Sequence, residues 1–548
     1  MGYNQLSYLL GFLPLVLLLF SICPKRFRRY VLAGASWLYF FLCSHYLIVY
    51  LLGTTVWVYF MGIWIGKLGD GLPESAAAAS RKPYRKQAVA HQAVMLLANG
   101  ALFGVLFYLK YTGFFVRQLN RLVVHAGGAA IIAPRLLVPI GISFYTLEAV
   151  GYLLEVYWKR IPADRDFIRI ALFLGFFPQT MEGPIARYGD TAMQFSGPME
   201  KTEKTEDGVP HTMEKMENPE DGVPRTLEEM TASVMRICWG MFKKLVVADR
   251  LNIIVATLFG EYEKQNGVLI IVAAVCYTIQ LYMEFSGMMD VVIGSARLFG
   301  IRLPENFRQP FFSQTASEFW RRWHISLGAW LKDYLFYPVA ASTMAKKLGK
   351  RLRKKSGRYV AKLAVSALAL TPVWLFNGLW HGAEWNYIFY GIYYLVLLIL
   401  ELALEPVRAG FYRRTGIHQN GRGATLLRIL RTWVIIFTGE MFFRAPGLRA
   451  GLCMFRSLFH GFGISRLWDG TLLTFGLGMA DWTAIAGGTA VVFLYDLMRE
   501  RGFSIRDWVF ARKLPVRWAL YNALLLAVII FGAYGTGYQA VDLIYAGF

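Results

Sequence analysis

Long apolar segments restrict the possible folds of this chain more than any other feature of its sequence. Residues 30–65 exceed, and residues 6–23 approach, the stretch of about 20 apolar residues that a helix needs to cross a bilayer. The longer run, interrupted at Gly53, has room for a hairpin of two helices. Charged residues make up only 17% of the chain, against about 25% in an ordinary soluble domain. Because backbone polar groups must be paired inside lipid, the pattern predicts an all-α polytopic membrane protein with roughly 11–13 membrane segments, including re-entrant helices.

Basic residues are distributed between the apolar runs. The 58 lysines and arginines exceed the 36 acidic residues, which gives a formal net charge of +22. By the positive-inside rule, we expect these clusters in cytoplasmic loops close to anionic membrane lipids, with the N-terminus outside. Nucleic acid is not an expected partner, because the charge is divided among separate loops. The clusters cover residues 25–29, 67–86, 346–358, 408–431 and 499–517.

Two proline-containing segments differ from the plain apolar runs. Residues 139–146 contain proline, glycine and serine, which bend or loosen a helix. Residues 178–188 combine two prolines with Gln179 and a Glu182/Arg187 pair at the end of an apolar run. Polar groups in that position indicate backbone that faces protein or water, and a simple interfacial helix end is the alternative.

Charged side chains inside apolar sequence are costly unless they are paired. Lys243 and Lys244 lie in an amphipathic segment that is too charged to span, and we expect both to point toward lipid headgroups at the interface. Glu284 and Asp290 fall within a long apolar run. Asp290 and Arg297 are seven residues apart and so lie on one helix face, which favours a role in holding the fold together.

One segment differs in composition from the rest of the chain. Residues 199–212 and 213–226 are a 14-residue tandem duplication that is polar, charged and free of aromatic residues. Such sequence cannot bury a core, so residues 199–230 are predicted to form a flexible loop. The remainder of 1–548 is expected to be a single integral membrane domain.

Two histidines stand in aromatic sequence, in the motifs Trp323-His324-Ile325-Ser326 and Trp380-His381-Gly382. On a continuous helix, His324 would share its apolar face with Trp323 and would therefore be buried. A desolvated histidine stays neutral near pH 7 and can act as a general base, although a hydrogen-bonded core histidine is the simpler alternative. Neither histidine has another His or Cys at ligand spacing, so no metal site is expected. The other histidines are interpreted as structural: His45, His91, His125, His211, His418 and His460.

The neighbourhood of His381 also contains residues suited to a binding site. Gly378 and Gly382 leave room for close approach of a substrate or a neighbouring helix, and Asn377 is a polar neighbour able to orient an acyl donor. The basic stretch 346–358, between the two histidine motifs, fits either the phosphates of coenzyme A or anionic lipid.

The two motifs together give the chain a specific resemblance to the membrane-bound O-acyltransferase family. Arg322-Trp323-His324-Ile325-Ser326-Leu327 and Leu379-Trp380-His381-Gly382 carry it, and further matching stretches extend over most of the chain. It resembles most the branch that includes the membrane subunit of alginate O-acetyltransferase, and more distantly the D-alanyl transferase of lipoteichoic acid. Helices in residues 425–548 favour the first branch.

The resemblance implies a ring of helices around a central funnel or tunnel in a bacterial cytoplasmic membrane. It implies that His381 is the essential catalytic residue and that His324 lies near the same tunnel. It implies that no cofactor is bound permanently and that acetyl-coenzyme A, or an acyl-carrier thioester, is the donor substrate. An extracytoplasmic SGNH or hydrolase-like partner and a polysaccharide acceptor are the expected partners. Residues expected to line the tunnel or support it are Asn377, Trp380, Trp323, Ser326, Gln179, Glu182, Arg187 and Asp290.

Two alternatives remain at the level of sequence. One is D-alanyl transfer to teichoic acid. The other is a non-enzymatic transporter or glycan flippase, which paired, broken helices in inverted half-repeats would favour. The family pattern also has a third histidine, at a position where this chain has the sequence Tyr390-Gly391-Ile392-Tyr393-Tyr394.

Overall fold

The computed structural model describes residues 1–73, 82–195, 226–416, 418 and 421–534. The tandem duplication lies outside the described residues, apart from Thr226. A helix begins at Leu227, so the end of the expected 199–230 loop is helical.

Helices account for nearly all regular structure in the described part of the chain, where the one β-type pairing is an isolated bridge between Phe307 and Trp323. The helices are α1 Leu13–Ile22, α2 Arg28–Ser44, α3 Ile48–Asp70, α4 Lys82–His125, α5 Ile142–Tyr157, α6 Phe167–Gly175, α7 Tyr188–Thr191, α8 Leu227–Met241, α9 Asp249–Gly260, α10 Gly267–Leu298, α11 Ala316–Arg322, α12 Ile325–Leu331, α13 Tyr337–Ala341, α14 Thr343–His381, α15 Trp385–Ala403, α16 Glu405–Thr415, α17 Arg422–Arg444, α18 Leu448–Ser457, α19 Met479–Glu500, α20 Ile505–Phe510 and α21 Leu514–Phe531.

Six helical stretches of the described residues are long and apolar enough to cross a membrane. They confirm the prediction of an all-α, polytopic membrane protein; the count of roughly 11–13 segments, with the shorter and re-entrant ones, stays a prediction. The stretches are Lys25–Asp70, Pro83–His125, Gly267–Leu298, Thr343–His381, Trp385–Ala403 and Leu514–Phe531.

The chain divides into two compact units. The first contains Met1–Ile237 and Met289–Pro304. Its α2 and α3 are separated by a 3₁₀ turn at His45–Leu47, where His45 has a φ of 48°. Gly53, the expected interruption, lies within α3, so that expectation was wrong. The break occurs at the 3₁₀ turn, and the glycine by itself does not end the helix.

Residues 176–187 of the first unit are not helical, which confirms the predicted irregular backbone. Their polar groups bond to protein side chains. The Tyr3 hydroxyl donates to the Phe177 carbonyl at 2.7 Å, and the Ser36 hydroxyl accepts from the Phe177 N–H at 3.1 Å. Side chains from elsewhere in the unit thus supplement the segment's own turn hydrogen bonds, such as the one from the Gly183 N–H to the Gln179 carbonyl at 2.7 Å.

The second unit contains Cys238–Met288 and Glu305–Phe548. Lys243 and Lys244 lie here in the π-helix Phe242–Ala248 and are both buried. The Lys244 ammonium lies 2.6 Å from Asp249 Oδ1 and 3.0 Å from Glu284 Oε1, while Lys243 donates to the Ser286 hydroxyl at 2.9 Å. The expectation that both lysines point toward lipid headgroups was wrong, because acceptors on this segment and on α10 draw them inward.

The basic stretch 346–358 is helical, not a loop, and forms the first part of α14. Gly357 interrupts this helix with a φ of +91°, a conformation that L side chains rarely adopt. A Cβ on Gly349 would lie 3.3 Å from a methyl group of Val365, so the chain folds back at Gly357. The two arms of α14 thus pack side by side, and the second arm ends at His381.

Candidate active site

His324 lies at a break between two short helices of the second unit. Helix α11 ends at Arg322, and α12 begins at Ile325. His324 itself adopts the left-handed conformation, with φ 48° and ψ 51°. A continuous helix through this motif was therefore a wrong expectation. Its consequence, the burial of His324, is confirmed, since only 3% of the residue is exposed.

Asn306 holds this break in place. Its carbonyl accepts from the Ile325 N–H, and its Oδ1 accepts from the Ser326 N–H and hydroxyl, each at 3.0 Å. Free N–H groups at the start of α12 are thereby paired from outside the helix. Ser326 bonds to Asn306 and so supports the position of His324.

The same amide oxygen also determines the protonation of His324. Nδ1 of His324 lies 3.4 Å from Asn306 Oδ1, which is identified as the oxygen because a backbone N–H donates to it. Nδ1 therefore carries the proton toward Asn306, and Nε2 carries the lone pair. Burial lowers the pKa of His324 to about 3, so the imidazole is neutral at pH 7.

His381 is the last residue of α14 and is also buried, with 6% of it exposed. Three aromatic rings surround its imidazole. The centroids of Trp380 and Phe443 lie 5.0 Å away, and that of Tyr390 lies 6.2 Å away. Trp380 also contacts His324, at 5.6 Å between ring centroids. The structure thus brings the two predicted histidines to one indole.

Close packing of α14 against α15 positions His381. A Cβ on Gly378 would collide with the carbonyl oxygen of Tyr387 and lie 3.5 Å from the Cα of Gly391. This confirms the expected close approach at Gly378, with a helix as the neighbour. Asn377 is buried four residues before His381, so the two share one face of α14.

Trp323, the residue before His324, belongs to a cluster of aromatic side chains. Its ring stacks on Phe319 at 5.4 Å and meets Phe307 edge-on at 5.0 Å. These contacts accompany the bridge between Phe307 and Trp323, which anchors the strand-like backbone before His324. Trp323 therefore acts on the site by supporting its backbone.

The remaining predicted site residues belong to the first unit. Gln179 bonds to the buried carboxylate of Glu148, which also accepts from the Ala186 N–H at 3.0 Å. Glu182 is buried and Arg187 is exposed. Gln179 and Glu148 together hold the irregular segment 176–187 in shape.

Asp290 is also in the first unit, where its carboxylate pairs with Arg236 at 2.9 Å. The partner expected from the sequence was Arg297, on the same helix. Arg236 comes from α8, so this ion pair joins two helices. A fold-holding contact of this kind agrees with the role expected for Asp290.

Sequence reasoning missed three functional candidates, namely Glu148, Asn306 and Glu440. Glu148 and Glu440 are carboxylates in apolar sequence, the signal that identified Glu284 and Asp290, and the same rule applied throughout would have found them. Asn306 gave no such signal, because its role depends on backbone pairing between distant segments.

A sequence model of MBOAT, the membrane-bound O-acyltransferase family, matches residues 158–443, which include both histidine motifs. The chain therefore belongs to this family and is a membrane O-acyltransferase.

Three relatives illustrate its place in the family. A probable alginate O-acetylase of Pseudomonas syringae pv. tomato is 30% identical over 93% of this chain and 82% of the relative. A peptidoglycan O-acetyltransferase of Helicobacter pylori is 27% identical over 68% of this chain and 64% of the relative. A teichoic acid D-alanyltransferase of Bacillus subtilis is 26% identical over 47% of this chain and 58% of the relative. These relatives confirm the resemblance to the alginate branch and the more distant one to D-alanyl transferases.

Proposed function

We propose that the protein transfers an acetyl group from cytoplasmic acetyl-coenzyme A to an extracytoplasmic acceptor, for O-acetylation of a polysaccharide such as alginate. The acceptor is the polysaccharide hydroxyl or the hydroxyl of an SGNH or hydrolase-like partner that passes the group on. The bacterial cytoplasmic membrane is the proposed location. Similarity to alginate O-acetylases over 93% of the chain supports this choice over D-alanyl transfer, for which the similarity covers 47%.

The observation that carries the proposal is the enclosed imidazole of His381. We assign it the role of general base. It takes the proton of the acceptor hydroxyl, and the oxygen attacks the thioester carbonyl. Collapse of the tetrahedral intermediate breaks the carbon–sulfur bond, and the imidazolium returns the proton to the departing thiolate. The products are the acetyl ester and free coenzyme A, and His381 ends neutral.

His324 is held by Asn306 and contacts the Trp380 indole, which also contacts His381. We assign His324 the role of a neutral histidine that helps to bind the substrate. With Nδ1 donating to Asn306, Nε2 can accept a hydrogen bond from a substrate group. Trp380, Trp323, Ser326 and Asn377 support the two imidazoles. Gln179, Glu182, Arg187 and Asp290 are proposed to support the fold of the first unit.

Thiol release from acetyl-coenzyme A by the purified protein with its partner tests the proposal. We expect His381→Ala to lower turnover by about 10²- to 10⁴-fold, the usual contribution of a general base. The matched control is His460→Ala, an exposed histidine of the same unit. Full activity of His381→Ala would remove the catalytic assignment. Turnover of a D-alanyl carrier thioester in place of acetyl-coenzyme A would favour the D-alanyl alternative, and glycan movement without thioester consumption would favour a flippase.

A further inference from the structure

A buried glutamate bonds to a ring that contacts His381, and the proposed mechanism does not use it. Glu440 belongs to α17 and is 1% exposed. Its Oε1 accepts a hydrogen bond from the Tyr390 hydroxyl at 3.0 Å. Its Oε2 is buried without a hydrogen-bond partner among the described residues. Burial raises the pKa of Glu440 to about 8, so the side chain is largely the neutral acid at pH 7. Its Oε2 still lacks a hydrogen bond within the described part of the chain, and a buried polar atom without a partner costs stability, so fold stability alone does not account for Glu440.

Tyr390 connects this carboxylate to the catalytic candidate. Its ring meets the His381 imidazole edge-on, at 6.2 Å between centroids and an interplanar angle of 83°. The ring of Phe443 contacts both rings, with its centroid 4.9 Å from that of Tyr390 and 5.0 Å from that of His381. Phe443 follows Glu440 by three residues and so lies on the same face of α17. Helix α17 therefore supplies both the ring that packs on His381 and the acceptor that fixes the other ring.

Among the described residues, the directional bond that holds the Tyr390 ring is the one at its hydroxyl. Tyr394 lies 4.9 Å away on the same helix α15, and its hydroxyl packs against Gly439 and has no hydrogen-bond partner among the residues described. Nonpolar contacts restrict a tyrosine ring in position, whereas a hydrogen bond at the para oxygen also restricts its tilt. Loss of the Glu440 acceptor would leave the wall of the His381 site free to shift.

We propose that Glu440 is a positioning residue, which holds the His381 imidazole in its productive orientation by fixing Tyr390. This inference rests on the proposed role of His381 as the base. The property that matters is a hydrogen-bond acceptor at Oε1, not the ability of Glu440 to take up a proton. Replacement by glutamine keeps that acceptor, while replacement by alanine removes it.

Four variants of the full chain, assayed with the partner and acetyl-coenzyme A, test this assignment. We expect Glu440→Ala and Tyr390→Phe to lower kcat by about 10- to 100-fold, since a misplacement of about 1 Å in a catalytic site can cost about 100-fold in rate. KM for acetyl-coenzyme A should stay within about twofold, and Glu440→Gln should stay within about threefold of wild type in kcat. Tyr393→Phe is the matched control, because it loses a tyrosine hydroxyl bond between α15 and α17, to the Ile435 carbonyl at 2.9 Å. It should behave as wild type.

Thermal unfolding of each variant separates positioning from folding. Normal kcat in a folded Glu440→Ala protein would overturn the inference, and so would equal losses in the Tyr393→Phe control. A Glu440→Gln variant as inactive as Glu440→Ala would also overturn it, since proton uptake by the carboxylate would then be the essential property. These outcomes are distinct from failure of the proposed function, which appears as full activity in His381→Ala.

Discussion

The Trp380 indole meets the His324 imidazole edge-on, with 5.6 Å between ring centroids and an interplanar angle of 64°. The same indole lies 5.0 Å from His381, the next residue in the chain. One side chain thus fixes the distance between the two histidines of the candidate site. The relationship explains why a tryptophan precedes His381, and it makes Trp380 a sensitive position for both stability and activity.

Replacement of Trp380 by alanine should open a cavity between the histidines. Truncation of a buried aromatic residue costs about 3–5 kcal/mol, and the imidazoles would lose a shared wall. We expect a lower midpoint of thermal unfolding in detergent and at least tenfold slower thiol release at temperatures where the protein is folded. Trp380→Phe should recover part of both properties. Trp468→Ala, at a tryptophan that is 70% exposed, is the control that should change neither; wild-type turnover in Trp380→Ala would contradict the assigned role.

Apolar length predicted the helices well, and tertiary pairing explains where the prediction failed. The apolar sequence that follows the second histidine motif forms α15, Trp385–Ala403, because apolar residues without breakers continue as helix in lipid. The break at His324 was missed because it depends on Asn306, which pairs with the chain from outside the motif. No local pattern contains that information.

The basic stretch 346–358 was misread for a different reason. Its lysines, arginines and leucines are good helix formers, but the density of charge suggested a loop. The site was predictable only in part: both histidines were found, whereas the acceptors that position them, Asn306 and Glu440, come from distant segments of the sequence.

Close contact between α14 and α15 predicts opposite effects for two Gly→Ala substitutions. In Gly378→Ala the new methyl group would meet the Tyr387 carbonyl, so the helices must separate, at a cost of about 1–3 kcal/mol. Gly53→Ala has open space around it within α3 and should stabilise the protein by about 0.5–1 kcal/mol through helix propensity. Thermal unfolding compares the two. Equal stability of both variants would refute the close packing at Gly378.

The basic pocket near the turn of α14 at Gly357 is expected to bind lipid rather than the acyl donor. Arg353, Arg358 and Lys362 line a surface pocket of about 340 Å³. The helix from Arg358 to His381 is about 35 Å long, at about 1.5 Å per residue. A donor bound in the pocket would have to span this distance to reach His381. We expect Arg358→Gln with Lys362→Gln to leave KM for acetyl-coenzyme A unchanged and to reduce thermal stabilisation by phosphatidylglycerol, but not by phosphatidylcholine. A several-fold rise in KM would instead assign the pocket to the donor.

The low pKa of His324 predicts a loss of stability in mild acid. The unfolded chain takes up a proton near pH 6.5, but the folded protein does so only near its pKa of about 3. Stability is therefore fully present above pH 6.5 and declines as the pH falls toward 3, by on the order of 1 kcal/mol between pH 7.5 and 5.5. His324→Asn removes the titration and suits the left-handed backbone. Its unfolding midpoint should fall less over this range than that of wild type, and equal slopes would contradict the pKa.

The Lys244 ion cluster predicts a large loss of stability from a single substitution. Lys244 is fully buried between Asp249 and Glu284, so Lys244→Ala would leave two carboxylates without their shared cation. Removal of one partner from a buried ion pair costs about 3–5 kcal/mol, mainly because the remaining charge is still buried. Lys264→Ala is the matched control. That lysine is 73% exposed and pairs with Glu261 at 3.2 Å, so its loss should cost at most about 1 kcal/mol. Thermal unfolding and yield of folded protein in detergent measure the difference, and equal stability of the two variants would mean that Lys244 faces solvent or headgroups after all.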